Sequence, residues 1–329
     1  MSVPNHVFEQ TLAELFSPIG HYLRTDDVTE VLINRYDQIF IERHGMLERT
    51  ASAFPSEFAL MAALRNLSQY VGRELSGCSP ILEARLPDGS RVEAIIPPAA
   101  PNGPAISIRR FNPKQLTLER LMELDAVAAP VAKLLRIMVR SRSNVIVSGG
   151  SGTGKTSVLN ALAGLMNAGE RVIVIEDSQE LQLALPHVVH LEAQPGDSQG
   201  RGAISIRQLF RATLRMRPDR IVIGEIRGGE ALELVQAMTS GHRGCLSTVH
   251  GTAPAETLGR LETMALMGDV DIPVSVLRRQ IASAVDHIVQ VARNEKGLRQ
   301  VTQVVRVLGF DAEEGYRLEQ LFTCDNLDD

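Results

Sequence analysis

Residues 149–156 read GGSGTGKT, and this octapeptide decides the fold class of the second half of the chain. It satisfies the pattern G-x-x-x-x-G-K-[ST], follows a short apolar run and opens a helical pattern over residues 155–166. Glycines let backbone N–H groups close around phosphate oxygens, and the positive end of the helix dipole favours the same anion. The pattern therefore predicts an ATP site in which Lys155 reaches the β- and γ-phosphates and Thr156 ligates Mg²⁺. The residues expected to contact the nucleotide are Gly150, Ser151, Gly152, Thr153, Gly154, Lys155, Thr156 and Ser157.

Composition places the chain among globular proteins. At 329 residues it is long enough for two domains, and 44% apolar with 22% charged residues is typical of a folded chain. No apolar run reaches the roughly 18 residues of a membrane-spanning helix, and the acidic start lacks the basic segment of a signal peptide. A formal net charge of −5 argues against general nucleic-acid binding. We therefore expect a cytoplasmic protein with reduced cysteines and no direct nucleic-acid binding.

The hydrophobic pattern changes along the chain and divides it into three parts. Residues 1–112 predict a small α+β domain, 113–130 a linker, and 131–329 an α/β domain. In the last part, helices alternate with wholly apolar runs, which fit strands buried on both faces of a mixed, largely parallel sheet. The apolar runs lie at 145–147, 172–175, 188–191, 221–223 and 246–249, and antiparallel extensions are expected at 284–293, 300–307 and 316–322.

The first domain shows helical periodicity, alternating strands and one clear hairpin. Pro87-Asp88-Gly89 separates two extended runs, which is a hairpin signal, and Ser56 precedes a helix that Gly72 follows. Helices are expected over 6–23 and 56–71, and strands over 28–34, 38–43 and 105–111, while a further helix over 117–124 is expected in the linker.

Polar residues follow the apolar runs of the second half. Because the carboxyl ends of parallel strands share one edge of a sheet, Glu176, Glu225 and His250 are expected to converge with the glycine loop. Glu225 comes one residue after Gly224, which occupies the usual position of a magnesium-binding aspartate, so Glu225 suits polarising water. The alternatives are an acidic cluster at a helix start for Glu176, an exposed acid for Glu225, and plain packing for His250.

Two adjacent arginines end the predicted strand 105–111. On a strand, Arg109 and Arg110 point to opposite faces, and Arg110 shares its face with Ile106 and Ile108. If those isoleucines face the core, Arg109 is the one that reaches a phosphate, for which the guanidinium fork is suited. The alternative is a solvated basic pair.

The order of these motifs resembles that of the type II/type IV secretion ATPases. GGSGTGKT, IEDSQEL, RMRPDRIVIGEIRG and GHRGCLSTVHGTAP match their Walker A, Asp, Walker B and His boxes in sequence order. The stretches ARLPDGSRVEAIIPP, GPAISIRRF and RRQIASAVDHIVQ look like the CpaF-like motors of Tad/Flp pili. The resemblance covers the chain from about residue 75 onward, while residues 1–75 match only loosely.

This resemblance implies a RecA-like ATPase domain and a ring-shaped homohexamer with ATP between the two domains of each subunit. It implies that Glu225 is the general base, Glu176 assists magnesium or water, and His250 contacts the γ-phosphate region. Arg109 or Arg110 would clamp the phosphates, and Arg142 matches a second arginine position. Expected partners are inner-membrane platform proteins of a pilus or secretion system, so membrane association would be peripheral and through partners.

Three functions are compatible with a glycine loop. The leading hypothesis is a motor for pilus assembly, retraction or protein secretion, and the alternative is a conjugation-type motor linked to DNA transfer. A small-molecule kinase explains neither the His box nor the first domain, and it is the weakest of the three.

Overall fold

The structure is a computed structural model that describes residues 5–43, 45–111, 116–194, 196, 201–268, 270–293 and 297–324, without the side chains of residues 5–8. The chain divides into two compact units, one of residues 1–113 with 197–201 and one of 114–196 with 202–329. The boundary predicted after residue 112 falls outside the described residues. The three-part division of the chain therefore stays a prediction.

The first unit contains a six-stranded sheet with neighbours in the order β3-β2-β1-β6-β5-β4, each pair antiparallel. Its strands alternate between buried and exposed residues, as expected for a sheet with one face packed on a core. The strands are β1 (Val28–Arg35), β2 (Gln38–Arg43), β3 (Met46–Arg49), β4 (Ile81–Arg85), β5 (Arg91–Ile95) and β6 (Ala105–Arg109). The helices are α1 (Asn5–Leu15), α2 (Ser17–Arg24) and α3 (Glu57–Tyr70).

Two sequence expectations for this unit are confirmed in outline and corrected in detail. The helix predicted over 6–23 is divided at Phe16 into α1 and α2, because Pro18 removes one helical N–H and its ring clashes with the preceding turn. Strand β6 ends at Arg109 instead of residue 111. There Phe111 packs on Gly89 in the hairpin turn, where a Cβ would lie 3.0 Å from the Phe111 ring. The N-cap prediction is correct, since Ser56 Oγ accepts a bond from the Ala59 N–H at 3.2 Å.

The second unit contains an eight-stranded sheet in the order β14-β13-β12-β7-β11-β10-β8-β9. The six strands from β12 to β9 pair in parallel, and β13 and β14 extend the sheet antiparallel, as predicted for 300–307 and 316–322. The run at 284–293 was also expected to be antiparallel, which is wrong: as β12 it pairs in parallel with β7. The strands are β7 (Val145–Gly149), β8 (Val172–Glu176), β9 (Val188–Glu192), β10 (Arg220–Ile223), β11 (Leu246–His250), β12 (His287–Arg293), β13 (Arg299–Asp311) and β14 (Gly315–Thr323). The helices are α4 (Leu118–Glu123), α5 (Ala129–Arg140), α6 (Lys155–Ala163), α7 (Ile206–Thr213), α8 (Glu230–Thr239), α9 (Pro254–Leu266) and α10 (Val274–Ala284).

Both faces of the central strands are buried, which explains why their sequences are largely apolar. Val145 and Val147 of β7 pack in one core with Val158 of α6, while Ile146 packs in the other core with residues of α8 and α9. Alternate residues of one strand therefore serve two cores, as the predicted α/β class requires. Among the described residues, no helix combines the length and the apolar character needed to cross a membrane.

Candidate nucleotide site

The glycine loop leaves β7 and enters α6 in a conformation that only glycine adopts easily. Gly152 and Gly154 have φ values of +69° and +97°, in the left-handed region. At Gly149 a Cβ would lie 2.5 Å from the Val291 carbonyl oxygen, so a side chain has no room there. No side chain caps the start of α6, so its first backbone N–H groups face the loop. The loop thus has the form of an anion cradle.

Lys155 is buried and its amino group lies inside the site. Its Nζ donates to the Gly150 carbonyl oxygen at 2.8 Å and contacts His250 Nδ1 at 3.2 Å. Because a lysine ammonium only donates, His250 Nδ1 accepts, and its Nε2–H donates to Glu225 Oε1 at 2.8 Å. Desolvation lowers the pKa of His250. The charge of Glu225 raises this pKa, and the charges of Lys155 and nearby arginines lower it further. The lowered pKa fits the neutral form of the imidazole.

Glu225 lies at the other end of this contact chain. Its Oε2 accepts from Arg227 Nε at 2.6 Å and from a second guanidinium nitrogen at 2.5 Å. Arg227 also approaches Asp177, with 3.5 Å between Nη1 and Oδ2. Glu225 is therefore an oriented carboxylate, held between a neutral imidazole and a guanidinium. Both of its carboxylate oxygens have a partner, which fixes the position of Glu225 beside His250.

Glu176 is more deeply buried and is bound to the backbone. Its Oε1 accepts from the N–H groups of Glu180 and Leu181, both at 2.9 Å. Burial raises the pKa of Glu176 to about 7. The two backbone hydrogen bonds act in the opposite direction but do not offset the effect of burial. A Cβ on Gly224 would lie 2.9 Å from Glu176 Cγ, so the Glu176 side chain needs the glycine that stands there. Any cation contact by Glu176 would thus fall to its other carboxylate oxygen.

The raised pKa of Glu176 predicts a pH-dependent stability. A carboxyl whose pKa rises from 4.5 to about 7 on folding stabilises the fold fully below pH 4.5 and loses that contribution as pH rises through 7. The loss amounts to about 3 kcal/mol. Glu176→Gln keeps an oxygen that accepts both N–H bonds but does not titrate. Urea unfolding at pH 5 and pH 8, without nucleotide, should show a smaller pH dependence for the variant than for the wild type. Equal pH dependence would contradict the assignment.

The family model described as type II/IV secretion system protein matches residues 13–318. The chain belongs to this family. A putative conjugal transfer protein of Mycobacterium tuberculosis is 34% identical over 302 residues, covering 90% of this chain and 84% of the relative. Conjugal transfer protein TrbB of Rhizobium radiobacter is 31% identical over 293 residues, covering 87% and 86%. The Legionella pneumophila ATPase DotB shares the fold at a TM-score of 0.60 and 18% identity, covering 93% of this chain and 82% of DotB.

Family membership confirms the resemblance read from the motif order and the fold class predicted with it. Together with the loop motif and its geometry, it makes this member of the family an ATPase. The relatives carry names from conjugal transfer, so they support secretion-family membership more than the Tad/Flp assignment.

Several residues that support the loop were missed by the sequence analysis. Ser148 Oγ lies 2.5 Å from Thr257 Oγ1 of α9, and a Cβ on Gly251 would lie 2.3 Å from that same hydroxyl. Gln290 of β12 donates to the Gly251 carbonyl oxygen at 3.1 Å. These contacts fix the ends of β7, β11 and β12 beside the loop. Polar residues inside otherwise apolar strands, such as Ser148 and Gln290, were the available signal.

In the first unit the two adjacent arginines have different surroundings. The Arg110 guanidinium donates to the carbonyl oxygens of Leu23 at 2.8 Å and Val28 at 2.7 Å, and it also contacts the Thr25 carbonyl oxygen. Arg109 is exposed, and Ile106 and Ile108 are buried, as expected from strand alternation. Arg110 therefore has a structural role at the end of α2.

Arg142 requires a correction. It precedes the amino end of β7, whereas the glycine loop follows the carboxyl end, about 16 Å away at roughly 3.3 Å per strand residue. Its guanidinium lies 2.6 Å from Glu170 Oε1, and Glu170 also pairs with buried Arg220. Within one chain, Arg142 cannot contact a phosphate in the loop. The resemblance alone placed it among the catalytic residues, and the structure does not bring it to the loop of its own chain.

Proposed function

We propose that this chain is an ATP-hydrolysing motor of a secretion, conjugation or pilus apparatus. The observation that carries the proposal is the contact chain from Lys155 through His250 to Glu225. It links the phosphate-binding loop, through His250 at the end of β11, to an oriented carboxylate just beyond the end of β10. A kinase needs a pocket for an acceptor molecule, and this arrangement instead directs a carboxylate at the phosphate end of the site.

In the proposed reaction the loop binds the β- and γ-phosphates through its backbone N–H groups. Lys155 exchanges its bonds with the Gly150 carbonyl oxygen and with His250 Nδ1 for bonds to phosphate oxygens. His250 Nδ1 is then free beside the γ-phosphate, and it can donate a hydrogen bond to a phosphate oxygen once it is protonated. Glu225 accepts a proton from the attacking water. The water oxygen bonds to the γ-phosphorus as the bond from that phosphorus to the β,γ-bridging oxygen breaks, so ADP is the leaving group and Lys155 balances the charge that develops on its β-phosphate.

Mg²⁺ fits the loop in the manner usual for nucleotide sites. Among the described residues no group of three or more histidine, cysteine, aspartate or glutamate side chains is placed to hold a metal. A magnesium ion would therefore be held by the Thr156 hydroxyl, phosphate oxygens and waters, as Mg²⁺ prefers. When bound it neutralises phosphate charge. The role of Glu176 toward the ion or its waters stays a prediction.

We further propose that an arginine of the first unit completes the site when the nucleotide is bound. Arg109 is the better candidate because its side chain is exposed, on the strand face opposite buried Ile106 and Ile108. A guanidinium supplied to the γ-phosphate stabilises charge in the transition state more than in the ground state. Closing of the first unit would then be coupled to hydrolysis, and reopening to product release.

The assembly we propose is a homohexamer in the cytoplasm, associated with the inner membrane through platform proteins. The stretches from residue 75 onward support a Tad/Flp-type pilus or protein secretion as the work of the motor. The names of the relatives support a second candidate, a conjugation-type motor linked to DNA transfer.

The two candidates differ in what a deletion abolishes. Removing the gene from its host and scoring surface pili, secreted protein and plasmid transfer separates them, with the Lys155→Ala gene as the inactive control. Loss of pili or secretion with intact plasmid transfer supports the first candidate. The reverse result supports the second. In either case a filter-binding assay across salt concentrations should detect no DNA binding by the protein alone.

A further inference from the structure

The hairpin of β12 and β13 runs beside the glycine loop on the side away from the hydrolytic residues. Val291 of β12 is the register partner of Gly149, and Arg293 therefore extends past the start of the loop. Arg299, the first residue of β13, is the register partner of Arg293. In the sheet, β12 lies on one side of β7, and β11 with His250 lies on the other. The loop is thus flanked by Arg299 on one side and by His250 and Glu225 on the other.

The side chain of Arg299 lies against the start of α6. A Cβ on Gly154 would lie 3.5 Å from Arg299 Cδ and 3.8 Å from Arg299 Cβ. Val301, which shares the face of Arg299, is buried in the same core as Val158 of α6, which fixes this orientation. The Val301 N–H also donates to the Ala126 carbonyl oxygen at 2.9 Å, which holds the first residues of strand β13 in place.

The charge around Arg299 is unusual for a chain with a net charge of −5. Like charges directly opposite each other on neighbouring strands are destabilising, yet Arg293 and Arg299 are partners. Arg293 donates from Nε to the Gly297 carbonyl oxygen at 3.1 Å and helps to close the hairpin. Arg299 is exposed, and within the described part of the chain no carboxylate lies at ion-pair distance from its guanidinium. An anion in the loop would offset this repulsion.

We propose that Arg299 is a nucleotide-binding residue that contacts the phosphate farthest from the reacting one, the α-phosphate. The γ-phosphate belongs on the side of His250 and Glu225, so the opposite flank of the loop faces the other end of the phosphate chain. A bond to the α-phosphate is equally strong in the ground state and in the transition state. Arg299 therefore sets the affinity for ATP and ADP and leaves the chemical step unchanged. This inference rests on the nucleotide site proposed above.

The test compares Arg299→Ala with Arg306→Ala, which removes an exposed arginine of the same strand that pairs with Glu319 at 3.1 Å. ADP affinity is measured by titration calorimetry, and tripolyphosphate is used as a competitor without base or ribose. We expect Arg299→Ala to lower the affinity for ADP and for tripolyphosphate about tenfold or more, with kcat unchanged. Arg299→Lys should recover part of the lost affinity. Arg306→Ala should bind both ligands as the wild type does.

Other outcomes overturn the inference in distinguishable ways. If Arg299→Ala binds ADP more weakly but binds tripolyphosphate as the wild type does, Arg299 contacts the base or the ribose, and the phosphate assignment is rejected. Unchanged affinity for both ligands would reject any contact. A wild-type protein that binds neither ligand would reject the nucleotide site itself and this inference with it. Thermal unfolding of the variants without nucleotide shows whether Arg299→Ala has altered the fold.

Discussion

Glu225→Gln should bind ATP with near wild-type affinity and hydrolyse it about a hundredfold or more slowly. Glutamine keeps the size of the side chain and an oxygen that accepts from His250 Nε2, but it cannot take a proton from water. General-base catalysis typically contributes a factor of this order or larger. Steady-state phosphate release gives the rate, and titration with a slowly hydrolysed ATP analogue gives the affinity.

The matched control for this variant is Asp177→Asn. Asp177 lies near the same guanidinium as Glu225, with 3.5 Å between its Oδ2 and Arg227 Nη1, so the variant tests whether the charge around Arg227 alone matters. We expect Asp177→Asn to retain most of the turnover. A loss as large as that of Glu225→Gln would show that charge balance around Arg227, and not proton acceptance by Glu225, limits the reaction. Ordinary turnover by Glu225→Gln would refute the base assignment outright.

Arg109→Ala should lower turnover by about a thousandfold while changing ATP affinity little. An arginine supplied to the transferring phosphoryl group stabilises charge that develops only in the transition state, and such residues contribute at least this factor. Arg109→Lys should recover little, since an ammonium lacks the planar fork that binds two phosphate oxygens. Single-turnover hydrolysis with saturating enzyme separates the chemical step from binding.

The neighbouring arginine provides the control. Arg110 donates to backbone carbonyl oxygens at the end of α2, so Arg110→Ala should lower the free energy of unfolding by about 1–3 kcal/mol. Its turnover per folded molecule should stay close to that of the wild type. If Arg110→Ala is inactive when folded and Arg109→Ala hydrolyses ATP normally, the assignment of the two side chains is reversed.

The sequence was sufficient for the features that depend on local pattern. The glycine loop, the apolar strand runs of 131–329 and the hairpin at Pro87-Asp88-Gly89 each have a physical signature a few residues long. The convergence of Glu225 and His250 followed from one general rule, that parallel strands end at a common edge. The break at Phe16 was also readable, because proline is tolerated in the first turn of a helix but not in its interior, so Pro18 marks a helix start.

Other features depend on contacts between residues far apart in the chain. Gly224 was read as a missing aspartate, whereas the Glu176 side chain packs where a Cβ would stand. The hydrogen bond between Lys155 and His250 joins residues 95 positions apart in the sequence, and no local sequence pattern predicts it. Arg142 was assigned by resemblance to a second arginine position, and the structure places it before the amino end of β7, away from the loop of its own chain.

The most direct test of the central claim, that this chain is an ATP-driven ring motor, is its mass in solution with and without Mg-ATP. We would use Glu225→Gln, which should hold ATP without consuming it, and Lys155→Ala, which should not bind it. We expect Glu225→Gln to form a particle of six chains when Mg-ATP is present. The mass of Lys155→Ala should be the same with and without Mg-ATP. If the Glu225→Gln protein binds ATP and remains a monomer, the proposal that this chain works as an ATP-driven ring motor is contradicted.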